Sequence, residues 1–392
     1  MRKVAVFIPD FFWTSIPYEG LTMWEHLRQN MKGKIDLLMF DKDIRLTKSF
    51  TGREKYKFDP QLFKDAKPRT VANWPELFAA SGEYDLVVSQ THLFPKIRQP
   101  MMLYPEEFPV LKDAFKCPVM IWDIGGSDIF NARSFATYLC VKGPIWKDWF
   151  VKCEFPKDNV FVTGTPHYDY YHSADKIWPR QARPISLGRF SDKYKIPNNR
   201  LVLVAPSNPG SHREQFDENL RLIGGLLKRS RLDSYHIIIK TYPNDYLYYD
   251  ESPVYSGVYH RVYKTDDPQY QGKPQYELLA QAIPKATIID SQDHFAAVMY
   301  SDKLYNMSGS HIAWETYFTK CQAYAMNYKN KLYYGGATYL PEGVVFPDDQ
   351  VNLHVTRFDQ MFGKKTTPKK CANYFTKEFA HDNIRKAIEK VT

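Results

Sequence analysis

Tyr300-Ser-Asp-Lys-Leu-Tyr-Asn-Met-Ser-Gly-Ser-His-Ile-Ala-Trp-Glu-Thr-Tyr-Phe318 runs from a short apolar segment into a helical pattern through the turn Ser308-Gly309-Ser310. The first N–H groups of a helix have no partner inside it, and its dipole is positive there, so this turn is suited to a phosphate. Spacings of three and four residues place Ser308, His311 and Glu315 on one helix face. The stretch therefore fits a nucleotide's diphosphate and ribose, or equally a capped helix with a surface glutamate.

Length and composition predict a folded protein of two domains. A chain of 392 residues exceeds what one hydrophobic core usually serves. Hydrophobic residues make up 44% and aromatic residues 16%, which is ample for packed cores and argues against a disordered chain. Lys and Arg outnumber Asp and Glu by 53 to 44, a net charge of +9 that suits a polyanionic partner.

Cysteine usage and the start of the sequence indicate a cytoplasmic protein. The five cysteines lie far apart without a Cys-x-x-Cys pair, so neither a disulfide framework nor a zinc site is indicated. The apolar run Val4–Ile8 is too short for the hydrophobic region of a signal peptide and is typical of a first strand. No apolar run is long enough for a membrane span, and we expect no membrane partner.

Short apolar runs alternate with helical patterns in both halves of the chain. Strands are predicted at Val4–Ile8, Ile35–Phe40, Tyr84–Ser89, Pro118–Trp122 and Val160–Thr163, and again at Leu201–Ala205, His236–Lys240 and Ala286–Asp290. This alternation predicts α/β domains with parallel sheets, whose sites form at the carboxyl ends of the strands. The predicted parts are a first domain over 1–172, a linker over 173–199, a second domain over 200–374 and an amphipathic helix over 375–392.

The end of the first predicted domain carries a recognisable motif. Val160-Phe-Val-Thr-Gly-Thr-Pro-His-Tyr-Asp169 resembles the V-x-V-T-G-N-P-x-x-D segment of UDP-N-acetylglucosamine 2-epimerases and CDP-glycerol polymerases. Thr165 stands where those families usually have Asn. Both families have the GT-B fold.

Three motifs in the second half follow in the order of the same families. His212-Arg-Glu-Gln-Phe216 resembles the H-R-R-E-N-F run of the epimerases, one residue shorter. Ile239-Lys-Thr-Tyr-Pro243 resembles the K-x-H-P strand end of the polymerases. The turn at Ser308 resembles the S-G-G-x-x-E of the epimerases, with Glu315 two residues further on.

The resemblance implies a GT-B protein, with two Rossmann-like domains facing a cleft and a last helix crossing back to the first domain. It implies a UDP-sugar as donor substrate, held mainly by the second domain. No motif indicates a divalent metal such as Mg²⁺ or Mn²⁺ on the diphosphate. The implied donor-binding residues are Gly164, His212, Arg213, Lys240, Thr241, Ser308, Gly309, Ser310, His311 and Glu315.

Asp123 is the predicted catalytic base. Transfer with inversion needs a group that takes the proton from the attacking hydroxyl, and Asp123 follows an apolar strand whose burial could raise its pKa. Met120-Ile-Trp-Asp-Ile124 resembles the L-F-T-D-I-R strand end of the T-even phage DNA β-glucosyltransferase, whose aspartate is the proposed base; Gly125 stands where that enzyme has Arg. Caps or turns are the more typical role of four rivals, Asp10, Glu19, His92 and Asp128.

Three clusters of basic residues indicate what the acceptor could be. Lysines and arginines would neutralise phosphates, and aromatic side chains would stack on an extruded base. The first group holds Arg45, Lys48, Arg53, Lys55 and Lys57 among aromatic residues, the second Lys142, Lys147 and Lys152 around Trp146 and Trp149, and the third Lys364, Lys365, Lys369 and Lys370. A solvated surface explains any one of them, and together they favour double-stranded DNA.

The sequence therefore predicts an inverting glycosyltransferase that moves a sugar from a UDP-sugar to a hydroxymethylpyrimidine in phage DNA, acting in the host cytoplasm. Three alternatives stay open. The acceptor could be a cell-surface polymer or a lipid-linked molecule, or the enzyme could be a UDP-sugar 2-epimerase. A nucleic-acid-binding module without catalysis is the third. The sequence names neither the sugar nor the oligomeric state.

Overall fold

The computed structural model describes the regular elements of the chain and the residues next to them. The described residues are 2–8, 16–40, 65–90, 114–124, 136–152, 154–172, 185–197, 200–205, 232–240, 285–289, 293–306, 312–326, 355–357, 376 and 378–392. The chain forms two compact units. Unit 1 comprises Met1–Arg183, Tyr339–Pro341 and Lys369–Thr392, and unit 2 comprises Pro184–Thr338 and Glu342–Pro368. None of the helices within the described ranges is long and apolar enough to cross a membrane.

Unit 1 is built on a parallel sheet. Its strands are β1 (Lys3–Ile8), β2 (Lys34–Phe40), β3 (Arg69–Val71), β4 (Leu86–Gln90), β5 (Val119–Ile124), β6 (Tyr138–Val141) and β7 (Val160–Val162), and its helices include α1 (Ile16–Asn30), α2 (Trp74–Ser81), α3 (Pro144–Lys152) and α4 (Pro166–His172). The spatial order is β3-β2-β1-β4-β5-β6-β7. The chain reverses direction across the sheet between β1 and β4, and ligands bind at such a switch point, beyond the carboxyl ends of the strands.

Unit 2 repeats the same topology. Its strands are β8 (Arg200–Ala205), β9 (Tyr235–Lys240), β10 (Ala286–Ile289), β11 (Lys303–Asn306), β12 (Gln322–Met326) and β13 (Val355–Arg357), and its helices include α5 (Leu187–Tyr194), α6 (His294–Tyr300) and α7 (Ile312–Glu315). The order is β10-β9-β8-β11-β12-β13, with β13 antiparallel to β12. The switch point of unit 2 therefore lies between β8 and β11.

The last helix, α8 (Ala380–Val391), belongs to the core of unit 1. Its spacing of apolar residues at intervals of three and four forms one stripe, and Ile384, Ala387 and Ile388 pack in one cluster with β1 and α1. Ile384 and Ile388 are completely buried. Each contributes about 1.5–3 kcal/mol by leaving water.

The strands predicted from apolar runs form, while several boundaries differ. β5 continues past Trp122 to Ile124, so Asp123 lies inside the strand and not in the loop after it. β4 likewise extends to Gln90, one residue beyond the predicted strand end at Ser89. Residues 187–194, inside the predicted linker, form α5 and bury Phe190.

Candidate functional site

The Gly164 segment attaches the last helix to unit 1. Gly164 has φ +80°, a left-handed conformation that side chains other than hydrogen disfavour. A Cβ there would lie 3.0 Å from Cγ2 of Thr376 and 3.4 Å from Cβ of Ala380. This glycine permits the close approach of the segment leading into α8. The donor-binding role predicted for Gly164 stays a prediction.

Asp169, the last residue of the same motif, caps α8. Its carboxylate accepts hydrogen bonds from the backbone N–H groups of Ala380 and His381, both at 3.0 Å. Nδ1 of His381 lies 2.7 Å from the same carboxylate, and Nε2 of His381 lies 3.0 Å from Oγ1 of Thr22 in α1. Asp169, His381 and Thr22 are each 1% exposed. The motif that suggested the family is thus explained by how α8 is held.

Three polar side chains meet near the switch point of unit 1, and we call them the edge cluster: Glu19, Gln90 and His167. Glu19 lies in the first turn of α1 and is 1% exposed. Nε2 of Gln90, at the carboxyl end of β4, donates to Oε2 of Glu19 at 2.6 Å. Nδ1 of His167, in the first turn of α4, lies 2.9 Å from Oε1 of Glu19. Glu19 is therefore a buried carboxylate that is hydrogen-bonded to two side chains from other elements.

Asp123 lies on the strand next to Gln90. Gln90 is opposite Trp122 in the pairing of β4 with β5, so Asp123 follows one residue closer to the carboxyl edge. The register of β5 with β6 shifts between Ile121 and Ile124. Such irregularities re-aim side chains and are frequent beside active sites. The backbone thus puts the predicted base at the edge where the edge cluster lies.

Unit 2 places two of the predicted donor-binding residues on the carboxyl side of its sheet. Lys240 is the last residue of β9 and is partly exposed. Glu315 ends α7, which follows the switch strand β11, and it is 4% exposed. Oε2 of Glu315 lies 3.6 Å from Nε2 of His294, the first residue of α6. Burial rules out the surface glutamate that was the alternative interpretation.

The other predicted donor residues, and part of the predicted acceptor surface, lie outside the described residues. The helix after the small-residue turn begins at Ile312, and the turn itself is not among them. The residues concerned are His212, Arg213, Thr241, Ser308, Gly309, Ser310 and His311 on the donor side, and Arg45, Lys48, Arg53, Lys55, Lys57, Lys364, Lys365, Lys369 and Lys370 on the acceptor side.

The second basic group is not the surface that the sequence suggested. Trp146 is 3% exposed and packs inside unit 1 through α3, so its indole is not placed to stack on an extruded base. Lys142 is 7% exposed, and its carbonyl accepts a hydrogen bond from the N–H of Thr376 at 3.0 Å. Lys147 and Lys152 remain accessible on α3.

Sequence reasoning missed the importance of Gln90, His167 and His294. Gln90 lies one residue past the predicted strand Tyr84–Ser89, and His167 enters the sequence analysis only as part of the Val160–Asp169 motif. The usable signal for both was their position at the carboxyl ends of predicted elements, where sites form in parallel sheets. His294 carried no such signal, because its pairing with Glu315 joins residues 21 positions apart through the fold.

Solved structures with a similar fold identify the architecture of this chain. No protein-family model and no curated protein matches this sequence. The UDP-GlcNAc 2-epimerase from Methanocaldococcus jannaschii has a similar structure, with TM-score 0.54 at 10% identity over 99% of both chains. A second structure of that enzyme, in complex with UDP-GlcNAc and UDP, gives TM-score 0.53 at 10% identity over 100% of both chains. The likeness confirms the prediction that this chain has the GT-B fold of two Rossmann-like units.

Proposed function

We propose that this chain is a glycosyltransferase that moves a sugar from a UDP-sugar to a hydroxyl acceptor. The observation that carries the proposal is Glu315, a buried carboxylate on the segment that follows the switch strand β11. A carboxylate offers two acceptor oxygens, which suit the paired hydroxyls of a ribose. Lys240, at the carboxyl end of β9, would stabilise the diphosphate as the sugar leaves it.

The fold supports the same substrate class by analogy. The similar enzyme from M. jannaschii holds UDP-GlcNAc and UDP in its structure. Rossmann-like units bind nucleotides beyond the carboxyl ends of their strands, the side where Lys240 and Glu315 lie.

The acceptor we favour is a hydroxymethylpyrimidine in double-stranded DNA. The support comes from the basic and aromatic residues between Arg45 and Lys57 and from the short Asp123 match. Asp123, near the carboxyl edge of β5, would serve as the base that takes the hydroxyl proton. The burial of Trp146 and Lys142 removes these two residues of the second basic group from this support.

A UDP-sugar 2-epimerase is the second candidate, because the solved structures described above are of such an enzyme. The two activities differ in one simple respect. A transferase releases UDP only when an acceptor, or water in its place, takes the sugar. An epimerase converts the UDP-sugar with no acceptor present.

The test begins with thermal unfolding in the presence of UDP, UDP-glucose and UDP-GlcNAc. A ligand that binds only the folded state raises Tm. Glu315→Gln should weaken UDP binding at least tenfold, since a hydrogen bond to a charged group contributes about 1.5–3 kcal/mol. Asp192→Asn, a change of an exposed carboxylate on α5 of the same unit, is the matched control.

The second step identifies the reaction. The protein is incubated with each UDP-sugar, with and without duplex DNA containing 5-hydroxymethylcytosine. The DNA is then digested, and the masses of its nucleosides are measured by mass spectrometry. A sugar adduct supports DNA transfer, UDP release with other hydroxyl compounds supports a different acceptor, and conversion without acceptor supports the epimerase. DNA binding with a steep salt dependence and no effect of any UDP-sugar on Tm would contradict the enzyme proposal.

A further inference from the structure

Two neighbouring polar side chains at the end of β4 differ in how completely they are hydrogen-bonded. Oγ of the buried Ser89 donates to the carbonyl oxygen of Phe7 at 2.8 Å. Nε2 of Gln90, the next residue, donates to Oε2 of Glu19 at 2.6 Å. Oε1 of Gln90 has no hydrogen-bond partner within the part of the chain that the structure describes, although the residue is only 3% exposed. One acceptor atom of a buried side chain is thus unmatched at the carboxyl edge of the sheet.

Rotation of the Gln90 amide would not remove this unmatched oxygen. A carboxylate only accepts hydrogen bonds, so the NH2 group of Gln90 has to face Glu19. A flipped amide would bring Oε1 of Gln90 against Oε2 of Glu19, and two acceptors repel each other. The other carboxylate oxygen of Glu19 lies 2.9 Å from Nδ1 of His167, which holds the carboxylate in place. Glu19 therefore fixes Oε1 of Gln90 in position as an acceptor.

The location of Oε1 in the fold indicates what would match it. Oγ of Ser301 is another buried atom without a partner among the described residues, but Ser301 follows α6 and precedes the amino end of β11. Gln90 ends β4, beside the switch point between β1 and β4, and parallel sheets bind ligands on that side. A buried acceptor without a donor calls for an explanation. At this edge the explanation is a ligand that supplies the donor.

The charge and hydrogen-bonding capacity of the site select the class of ligand. Oε1 of Gln90 takes a hydrogen-bond donor, whereas a phosphate or carboxylate offers only acceptors and would lie close to the buried carboxylate of Glu19. In the proposed reaction, hydroxyl groups occur on the sugar of the UDP-sugar and on the acceptor. A neutral hydroxyl group of one of these two substrates therefore fits Gln90.

We propose that Gln90 recognises a substrate hydroxyl: its Oε1 accepts a hydrogen bond from that hydroxyl, and Glu19 positions the amide. This inference rests on the proposed function and concerns binding and specificity, so the role of base stays with Asp123. A site built to hydrogen-bond a hydroxyl discriminates against an analogue that lacks it. Gln90 is thus a specificity residue of unit 1.

The experiment compares Gln90→Met with Gln29→Met in the full chain. Methionine has a side chain of similar length and no carbonyl oxygen. Affinities for UDP, UDP-glucose and UDP-GlcNAc are measured by calorimetry, and KM is measured for the hydroxyl compound or hydroxymethylcytosine DNA that accepts the sugar. Gln29 is the matched control, since its Nε2 donates to the buried Glu25 at 2.7 Å from an exposed position near the end of α1.

The pattern of the losses identifies the source of the hydroxyl. If it belongs to the sugar, Gln90→Met should bind the UDP-sugar roughly three- to tenfold more weakly and bind UDP as the wild type does. If it belongs to the acceptor, KM for the acceptor should rise by the same factor while UDP-sugar affinity is unchanged. Gln29→Met should match the wild type in all of these measurements.

Substrates in which single hydroxyls are replaced by fluorine separate recognition from a structural role. Fluorine does not donate a hydrogen bond. Replacing the recognised hydroxyl should weaken binding to the wild type roughly three- to tenfold and leave binding to Gln90→Met unchanged. Gln90→Glu should keep the effect of the hydroxyl, because two adjacent carboxyl groups share a proton and leave one oxygen to accept.

A crystal structure of the unaltered protein with UDP-sugar and acceptor gives a second measurement, which does not depend on how a variant folds. We expect a hydroxyl oxygen of one substrate within about 3.0 Å of Oε1 of Gln90. The substrate that carries this oxygen must agree with the one indicated by the affinities.

The outcomes separate the two proposals. Gln90→Met that equals the wild type in every affinity and KM overturns the role of Gln90 and leaves the transferase function intact. Fluorine replacements that act equally on both proteins do the same, as does a water molecule at Oε1 in the substrate complexes. Wild-type protein that binds no UDP-sugar and transfers no sugar overturns both proposals.

Discussion

Replacing Asp169 with alanine should detach α8 from unit 1. The carboxylate is 1% exposed and accepts from two backbone N–H groups at the start of α8, with Nδ1 of His381 as a third partner. Breaking one side of a buried polar pair of this kind costs about 3–5 kcal/mol. Whole domains are stable by only about 5–15 kcal/mol. The loss is therefore a large share of what holds unit 1 together.

Hydrogen exchange of the α8 amides measures this loss directly. At 1.36 kcal/mol for each factor of ten, 3–5 kcal/mol corresponds to roughly two to four orders of magnitude faster exchange over residues 380–391. Asp169→Asn keeps one acceptor oxygen, and we expect an intermediate effect. Asp158→Asn, at an exposed position of the 3-10 turn Lys157–Asn159, is the control in the same unit. Exchange of α8 that is unchanged in Asp169→Ala would refute the capping role.

Three further predictions concern pH, backbone strain and the donor. Burial, reinforced by electrostatic repulsion from the nearby His381, lowers the pKa of His26 from 6.5 to about 4. The free energy of unfolding of unit 1 should therefore fall by about 3 kcal/mol as pH falls from 6.5 towards 4. Urea unfolding of His26→Leu at several pH values should lack this decrease, and an equal pH dependence in the variant and the wild type would contradict the prediction. Gly164→Ala should cost about 1–3 kcal/mol because of its positive φ and the contact with Thr376, whereas Gly188→Ala, with open space around it in α5, should be neutral or stabilising in the same urea assay. Lys240→Gln should weaken UDP binding about tenfold by calorimetry, and unchanged affinity would remove Lys240 from the donor site.

Sequence reasoning located the strands that are buried on both faces. β1 and β8 are continuous apolar runs because helices and loops cover both sides of a parallel sheet, and their pattern is visible in the residues themselves. The short strand β3, Arg-Thr-Val at 69–71, has only one buried residue and gave no such signal. Its strand geometry comes from pairing with β2.

The candidate site was harder to predict, because its parts are brought together by the fold. Glu19 and His167 are 148 positions apart in the chain, and only the sheet and α4 put them 2.9 Å from each other. Trp146 was misjudged for the opposite reason. Flanking lysines suggested an exposed aromatic residue, but the face of α3 that carries Trp146 and Phe150 packs inward. The neighbouring residues in the sequence show that the segment is charged, but whether a side chain is buried depends on which face of its helix packs against the sheet.

The attachment of α8 to unit 1 has a consequence for biosynthesis. Asp169 and Ala380 are 211 positions apart, and all of unit 2 is encoded between them. Domains fold as units during synthesis, in the order in which they leave the ribosome. Unit 2 can therefore reach its folded state while unit 1 still lacks Ile384 and Ile388, so the first unit to be translated is the last to be completed. A nonsense mutation shortly before codon 380 would spare unit 2 and leave the apolar surface of α1 uncovered, which makes such truncated chains prone to aggregation.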